Sequence, residues 1–344
     1  MVYYTDKYIQ ASALQKSIRR GNKEAAYSAA NWFLENGETT YLLRRLSVIL
    51  LEDVGIAGID IACNYLASST AERKARLFET IAEMCAVPKD RNACNLSLIA
   101  EHSLELKRQR EIYVHLSDDE LKKIIMDEET NIDNRVIASW IMCGTLLYPS
   151  YKIKSYRDGF PAWIRWLADM GIPEDVRLAI ELFTRQRVDN MTAALPFSYS
   201  MSRQFEQSIK DIDIVNPVML GDIPAAALDQ HTRCGKASIY EWVFSTPIFD
   251  ALVEKVPSPK MATYGGWALF HIEGASVAKQ LTYDGCNDPL FDATAAFLVT
   301  ERFTDTDLEK LLAVAKENLP ALNEIRARKL EQLSKAPQQL EFPK

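Results

Sequence analysis

KYIQASALQKSIRRGNKEAAYSAANWFLENGETTYLLRRLSVILLEDVG, residues 7–55, carries its apolar side chains at helical rather than strand spacing. Tyr8, Ala11, Leu14 and Ile18 share one face of a first helix, which Gly21 and Asn22 stop. A second helix begins near Lys23 and turns Ala25, Ala26, Ala29, Ala30 and Phe33 inward, with Asn36-Gly37 as a left-handed C-terminal cap. Small residues on that face permit close helix approach. Thr39 or Thr40 then caps a third helix bearing Leu42, Leu43, Leu46, Ile49 and Leu50, which ends near Asp53-Val54-Gly55.

The same period extends along the chain. Helices are expected at about 60–67, 71–85 and 91–110, and Ser117 with Glu120 forms an S-x-x-E capping box that starts another. Apolar segments at about 134–147, 161–170, 174–186 and 198–210 are punctuated by Pro149, Pro161, Pro173 and Pro196, residues that interrupt helices for want of an N–H. Residues 212–224 read as a loop, and helical patterns resume at about 225–244, 247–254, 262–280, 288–300 and, after Thr304-x-x-Asp307, at 305–333. The expected fold is all-α: a helical array with one domain at residues 1–115, a second helical region at 116–335 and a flexible tail at 336–344. No repeat period marks a solenoid.

With 344 residues, 48% of them hydrophobic and 25% charged, the chain can bury a large core without a disulfide or metal staple, which excludes disordered and fibrous classes. Its 40 Lys and Arg against 47 Asp and Glu give a net charge of -7, so any contact with nucleic acid must be a local basic patch. No apolar run has the length of a signal peptide or a membrane span, and the chain reads as cytoplasmic with no membrane partner. The six cysteines form no CxxC pair and are expected to be buried free thiols.

Five stretches in order carry a likeness: Leu14-Gln15-Lys16-Ser17-Ile18-Arg19, Ala25-Ala26-Tyr27, Gly37 with Tyr41-Leu42-Leu43-Arg44-Arg45, Glu52-Asp53-Val54-Gly55, and Pro88-Lys89. Over residues 7 to about 100 the chain resembles the helical region that follows the ATPase module in the RarA/MgsA family of clamp-loader-like AAA+ proteins, which includes the Werner helicase-interacting protein. The resemblance implies a collar domain used for oligomerisation, and an association with stalled replication forks and recombination. A nucleotide-binding module should precede such helices, yet the sequence has no G-x-x-x-x-G-K-[ST]. Around Gly235-Lys236, Gln230 replaces the first glycine and Ala237 the metal-binding hydroxyl. ATP hydrolysis by this chain is therefore not expected, and no cofactor is implied. The expected partners are further copies of the chain, a separate AAA+ ATPase, and DNA.

Two sets of residues invite a functional reading. Lys16, Arg19, Arg20 and Arg44 would make a basic ridge for DNA phosphates, set against a structural reading in which Arg45 and Glu52 form an ion pair that fixes how helices meet. The second set is the polar run 221–236. There Arg233, Lys236 and Thr232 would hold a phosphate while His231 moves a proton, or Asp229 would orient His231 as a base. The structural reading of that run is a helix cap at Asp229, a junction histidine and a surface arginine. On this basis Asp229, His231 and Lys236 are the candidate catalytic residues, and Arg233 joins the nucleic-acid set.

Weaker signals complete the inventory. His102, His115 and the isolated pair His271-x-Glu273 lack metal-ligand spacing, so no metal is expected. Trp163, Trp166, Trp242, Trp267, Phe160, Tyr240 and Tyr264 would stack on bases if exposed and form core if not. Lys107, Arg108 and Arg110 read as a solvated helix end, and Gly265-Gly266 as a bend. The functional expectation is a replication or repair accessory protein; the alternatives are a nuclease or DNA glycosylase working through residues 229–236, and a protein-binding inhibitor of replication machinery.

Overall fold

A computed structural model describes residues 5–143, 160–186, 191–284 and 289–335. The chain opens with α1 (Lys7–Arg19), α2 (Lys23–Glu35) and α3 (Thr39–Ile49). Asp6 caps α1 by accepting from the backbone N–H groups of Tyr8 and Ile9, both at 2.9 Å, and Asn22 caps α2 by accepting from that of Ala25. All five residues expected to face inward from α2 are buried. Helix α3 widens at its end into a π turn, Leu50–Val54, and the chain reverses at Gly55 before a short 3₁₀ turn.

Next come α4 (Ile59–Ala67), α5 (Thr70–Ala75), α6 (Leu77–Ala86), α7 (Asn92–His102), α8 (Lys107–Tyr113), α9 (Asp118–Met126) and α10 (Ile132–Cys143). After them stand α11 (Phe160–Asp169), α12 (Glu174–Arg185) and α13 (Leu195–Gln204). The last group is α14 (Arg233–Ser245), α15 (Ile248–Leu252), α16 (Ser258–Leu269), α17 (Pro289–Leu298), α18 (Asp305–Glu317) and α19 (Leu319–Lys335). The capping boxes at Ser117 and Thr304 are both formed, each side chain and its N3 carboxylate exchanging bonds with the other's backbone N–H. The fold is an all-α helical array.

Four short strands interrupt it. β1 (Gln207–Asp211) pairs antiparallel with β4 (Lys279–Tyr283), while β2 (Met219–Leu220) and β3 (Ile223–Pro224) form a tight hairpin over Gly221. Lys89 bridges to the far side of β4, donating its backbone N–H to the Lys279 carbonyl at 2.8 Å. The expected helices at 198–210 and 262–280 therefore stop early, because their last residues pair with each other in β1 and β4. The helix expected at 225–244 is broken at 228–232, where Asp229 and Thr232 bond the local backbone instead of continuing the turn. The helices expected at 71–85 and 91–110 each split in two. Part of the 134–147 segment, beyond Cys143, and the 336–344 tail lie outside the described residues.

Two apolar cores form. The first gathers residues from Ile9 to Met201 together with Ile223, Ala227, Leu228, Cys234, Tyr283 and Leu330; the second runs from Ile239 to Ile325. The first core is continuous across residue 115, where the sequence suggested a boundary; the change of core falls inside α14. Helix α17 ties the two together by packing on α7, with the Phe297 ring 4.0 Å from the His102 ring and stacked at 3.8 Å on Trp267.

The candidate stacking aromatics are mostly core. Trp163 and Trp242 are fully buried, Tyr264 packs edge-on against Phe303, and Lys122 lies over the half-buried Trp166. Tyr240 is exposed; the Phe160 side chain is outside the described residues. Cys63, Cys85, Cys94, Cys143 and Cys234 are free thiols, and Cys286 falls outside the described residues. Among the described residues no helix is long and apolar enough to cross a membrane.

Candidate functional site

Helix α1 lies at the centre of the first core, in contact with α2, α3, α6, the β3 strand and the 3₁₀ turn Ala225–Ala227, and every residue from Ile9 to Arg19 is buried. Surrounded on all sides, it must satisfy its polar side chains inside the protein. The hub is Asp53, fully buried in the π turn. Its carboxylate accepts from the Arg19 Nε at 2.6 Å, from the Arg91 guanidinium, and from the Gln15 amide at 2.8 Å. Arg45 in turn donates to the Gln15 amide oxygen, and Arg19 pairs with Glu52 at 3.4 Å and donates to the Gly274 carbonyl. Glu52 is thus an ion-pair residue, as the structural reading had it, but its partners are Arg19 and Arg91 rather than Arg45.

Burial opposes ionisation of Asp53, yet Arg19 and Arg91 together hold its carboxyl below the ordinary range. Next to it, Asp90 is buried without a cation and its carboxyl is pushed up, although the Ser198 hydroxyl at 2.7 Å and the Asn92 N–H at 3.1 Å donate to it. Lys89 is equally buried, its ammonium donating to the carbonyls of Val87 and Cys85, and burial brings it down to about 8.

Two further ion pairs extend the network. Arg20 donates to the carbonyls of Glu273, Asn216 and Val215, at 2.8 Å for the first. Glu273 and Arg326, both buried, pair directly, and Arg326 also donates to the Leu228 carbonyl at 3.0 Å. On another side of α1, the Lys16 ammonium pairs with Asp229 and donates to Ser12 at 3.1 Å. The basic ridge expected over Lys16, Arg19, Arg20 and Arg44 is corrected accordingly. Lys16 is 3% and Arg19 1% exposed, Arg20 is occupied by backbone carbonyls, and Arg44 alone of the four is exposed.

The 229–236 run is the entrance to α14. Asp229 spends one carboxylate oxygen on Lys16 and the other on the backbone N–H of His231 at 2.9 Å. Burial works against its charge, but Lys16 and then His231 hold its carboxyl below the ordinary range. Thr232 is the N-cap, accepting from the Gly235 N–H at 2.9 Å while donating to the Asp229 carbonyl at 3.1 Å. A Cβ at Gly235 would stand 1.9 Å from that carbonyl oxygen, so the helix starts in close contact with the preceding turn. Asp229 therefore meets the His231 backbone rather than its ring. Arg233 and Lys236 on the first turn, and His231 just before the cap, present exposed side chains, and desolvation, with Lys16 in support, lowers the imidazole's proton affinity against the pull of Asp229.

His271 and Glu273 go separate ways, the former to Thr294 at 3.0 Å and the latter to Arg326. Among the described residues no group of three or more His, Cys, Asp or Glu side chains is placed to hold a metal. Arg91 and Arg326 escaped the sequence reading, and Glu273 was noted only beside His271, not as the partner of Arg326. A signal existed for Arg326, which stands one turn after Leu322 and one before Leu330 on an otherwise apolar stripe.

Acid should weaken this protein through cation-bound carboxylates, Asp53 and Asp229 among them. Folded Asp53 and Asp229 titrate below their unfolded values near 4, so their stabilisation is present at neutral pH and is lost as pH falls through about 5 toward the folded values. Asp90, and Glu101 and Asp133 which burial pushes up to about 7 and about 6, contribute with the opposite sign. Urea midpoints measured from pH 7 to pH 3 are expected to fall; a midpoint that rises over that range would mean the upward-shifted carboxyls dominate.

Comparison with protein-family models, with curated proteins and with solved structures gives no match.

Proposed function

We propose that this chain is an all-helical accessory protein of DNA replication, recombination or repair that works by self-association or by docking on a clamp-loader-type ATPase, as the resemblance over residues 7–100 implies. One observation supports the reading. Four of the five stretches that carry the resemblance meet around Asp53: Gln15 and Arg19 bond its carboxylate, Arg45 bonds Gln15, and the Asp90 N–H that follows Pro88-Lys89 donates to the Val54 carbonyl at 3.3 Å. The residues in common are thus those that set how the helices meet, which is the inheritance a scaffold needs. A catalytic role for Asp229 is not favoured, since both its oxygens are engaged in holding α1 and the start of α14.

Light scattering coupled to size-exclusion chromatography tests the assembly claim. A particle of at least twice 39.0 kDa, or co-elution with an ATPase of that family, is expected. A monomer that ignores such an ATPase contradicts it. For the DNA arm, the exposed cations of the candidate sets are Arg44, Arg233 and Lys236. If they touch phosphates, replacing all three by Ala should flatten the log-log salt dependence by up to about 3, and an unchanged slope removes DNA from the proposal.

A further inference from the structure

Strand β1 is the open edge of its sheet. Its even-numbered residues bond toward β4: Ser208 stands opposite Thr282 and Lys210 opposite Gln280, while beyond them Ile212 donates to the Ala278 carbonyl at 2.8 Å and Asp284 to that of Glu206 at 3.0 Å. The far side of β4 is taken by Lys89. The backbone N–H and C=O groups of Gln207, Ile209 and Asp211 therefore point away from the sheet, and among the described residues they have no hydrogen-bond partner. Such an edge is a template for another strand, which proteins commonly blunt with proline or a bulge. β1 has neither, and Ile209 at its middle is 61% exposed.

We propose that β1 pairs antiparallel with β1 of a second copy of this chain, about a two-fold axis at Ser208. The pairing names a surface for the self-association arm of the reading above and rests on that arm. Side chains choose among the registers that set outward-facing residues opposite one another. Centred on Lys210, the two ammonium groups would face each other directly, which is unfavourable. Centred on Ile209, Lys210 would meet only the partner's Ser208. Centred on Ser208, Glu206 of each copy stands opposite the partner's Lys210, which gives two reciprocal ion pairs on one face of the sheet. Both side chains are exposed, and neither has an ion-pair partner among the described residues. On the other face the same register sets Ile209 diagonal to the partner's Phe205, whose backbone is already extended and whose ring is 37% exposed. Charge and apolar area thus agree on one register. It supplies up to about six backbone hydrogen bonds, toward the low end for an interface, so the dimer should dissociate at roughly 10–100 µM.

Sedimentation velocity of the full chain across a concentration series at low ionic strength tests this. A reversible monomer–dimer equilibrium is expected. Lys210→Glu alone and Glu206→Lys alone, surface changes that set like charges opposite each other, should each weaken it about tenfold or more. An equimolar mixture of the two variants, in which every facing pair is again opposite in sign, should recover dimerisation, as should the double variant. Amide hydrogen exchange at Gln207, Ile209 and Asp211 should slow as the protein is concentrated. A dimer that neither single change weakens, or that the mixture fails to restore, overturns this pairing and leaves self-association to another surface. A chain that stays monomeric at every concentration overturns the pairing and leaves only ATPase docking of that reading. Amides that slow only when an ATPase of that family is added give the edge to a foreign strand and equally overturn it.

Discussion

Asp53→Ala is expected to destabilise the protein by about 3–5 kcal/mol, the cost of stripping one partner from a buried charge cluster. Arg19 and Arg91 would keep their charges in the interior with only the half-buried Glu52 to answer both, and Gln15 would lose the acceptor that fixes its amide for Arg45. Since the whole stability of a domain is about 5–15 kcal/mol, such a loss takes away a fifth or more. Equilibrium urea unfolding reads it as a large drop in midpoint. Arg19→Met combined with Asp53→Leu should cost clearly less than the sum of the two single changes, because the pair then leaves together. A drop below about 1 kcal/mol for Asp53→Ala would place the carboxylate in water.

Gly55→Ala is expected to be nearly as damaging, for a different reason. Gly55 has φ +59° and ψ −141°, a combination that side chains avoid, and a Cβ there would come 2.1 Å from the backbone oxygen of Asp90. Backbone strain of about 1–3 kcal/mol adds to an overpacking cost of similar size, so about 3 kcal/mol or more is expected. Gly37→Ala is the control. Its φ is +72° but nothing lies within 4 Å of the added methyl, so it should cost only about 1–2 kcal/mol. Equal midpoints for the two variants would mean that the π turn does not press on the Asp90 segment.

Elements whose one face is apolar were legible in the sequence. Helix α2 shows this best, since Ala25, Ala26, Ala29, Ala30 and Phe33 need only a period of 3.6 to be placed inside. The caps at Ser117 and Thr304 were legible too, being written within four residues. Helix α1 was not. Its Lys16, Arg19 and Arg20 look like a solvated or phosphate-binding face because periodicity reports where polar residues lie, not whether a helix is walled in on every side. What decides the matter is distant in the chain: Asp53 for Arg19, Asp229 for Lys16, the Glu273 carbonyl for Arg20. The strands β1 and β4 were hidden for the same reason, each completing a partner elsewhere rather than an alternating pattern of its own; Ile209 in β1 even points to solvent. The polar run at 229–236 was found, and of the two readings it allowed the helix entrance is the one the local bonds favour, with Thr232 rather than Asp229 as the N-cap. Short-range chemistry drew attention to it, and the same chemistry makes it a helix entrance.

The claim beneath these readings is that Lys16 and Arg19 of α1, and Lys89 and Arg91 after Pro88, are interior. Acetylation of lysines under native conditions, read residue by residue by mass spectrometry, tests it directly. Burial lowers the proton affinity of Lys16 and Lys89, which would make both unusually reactive if reagent reached them. Exposed Lys23, Lys74, Lys236 and Lys310 should be modified promptly, and Lys16 and Lys89 only on the timescale of unfolding. Prompt modification of Lys16 in the folded protein would return it to the surface and contradict the account.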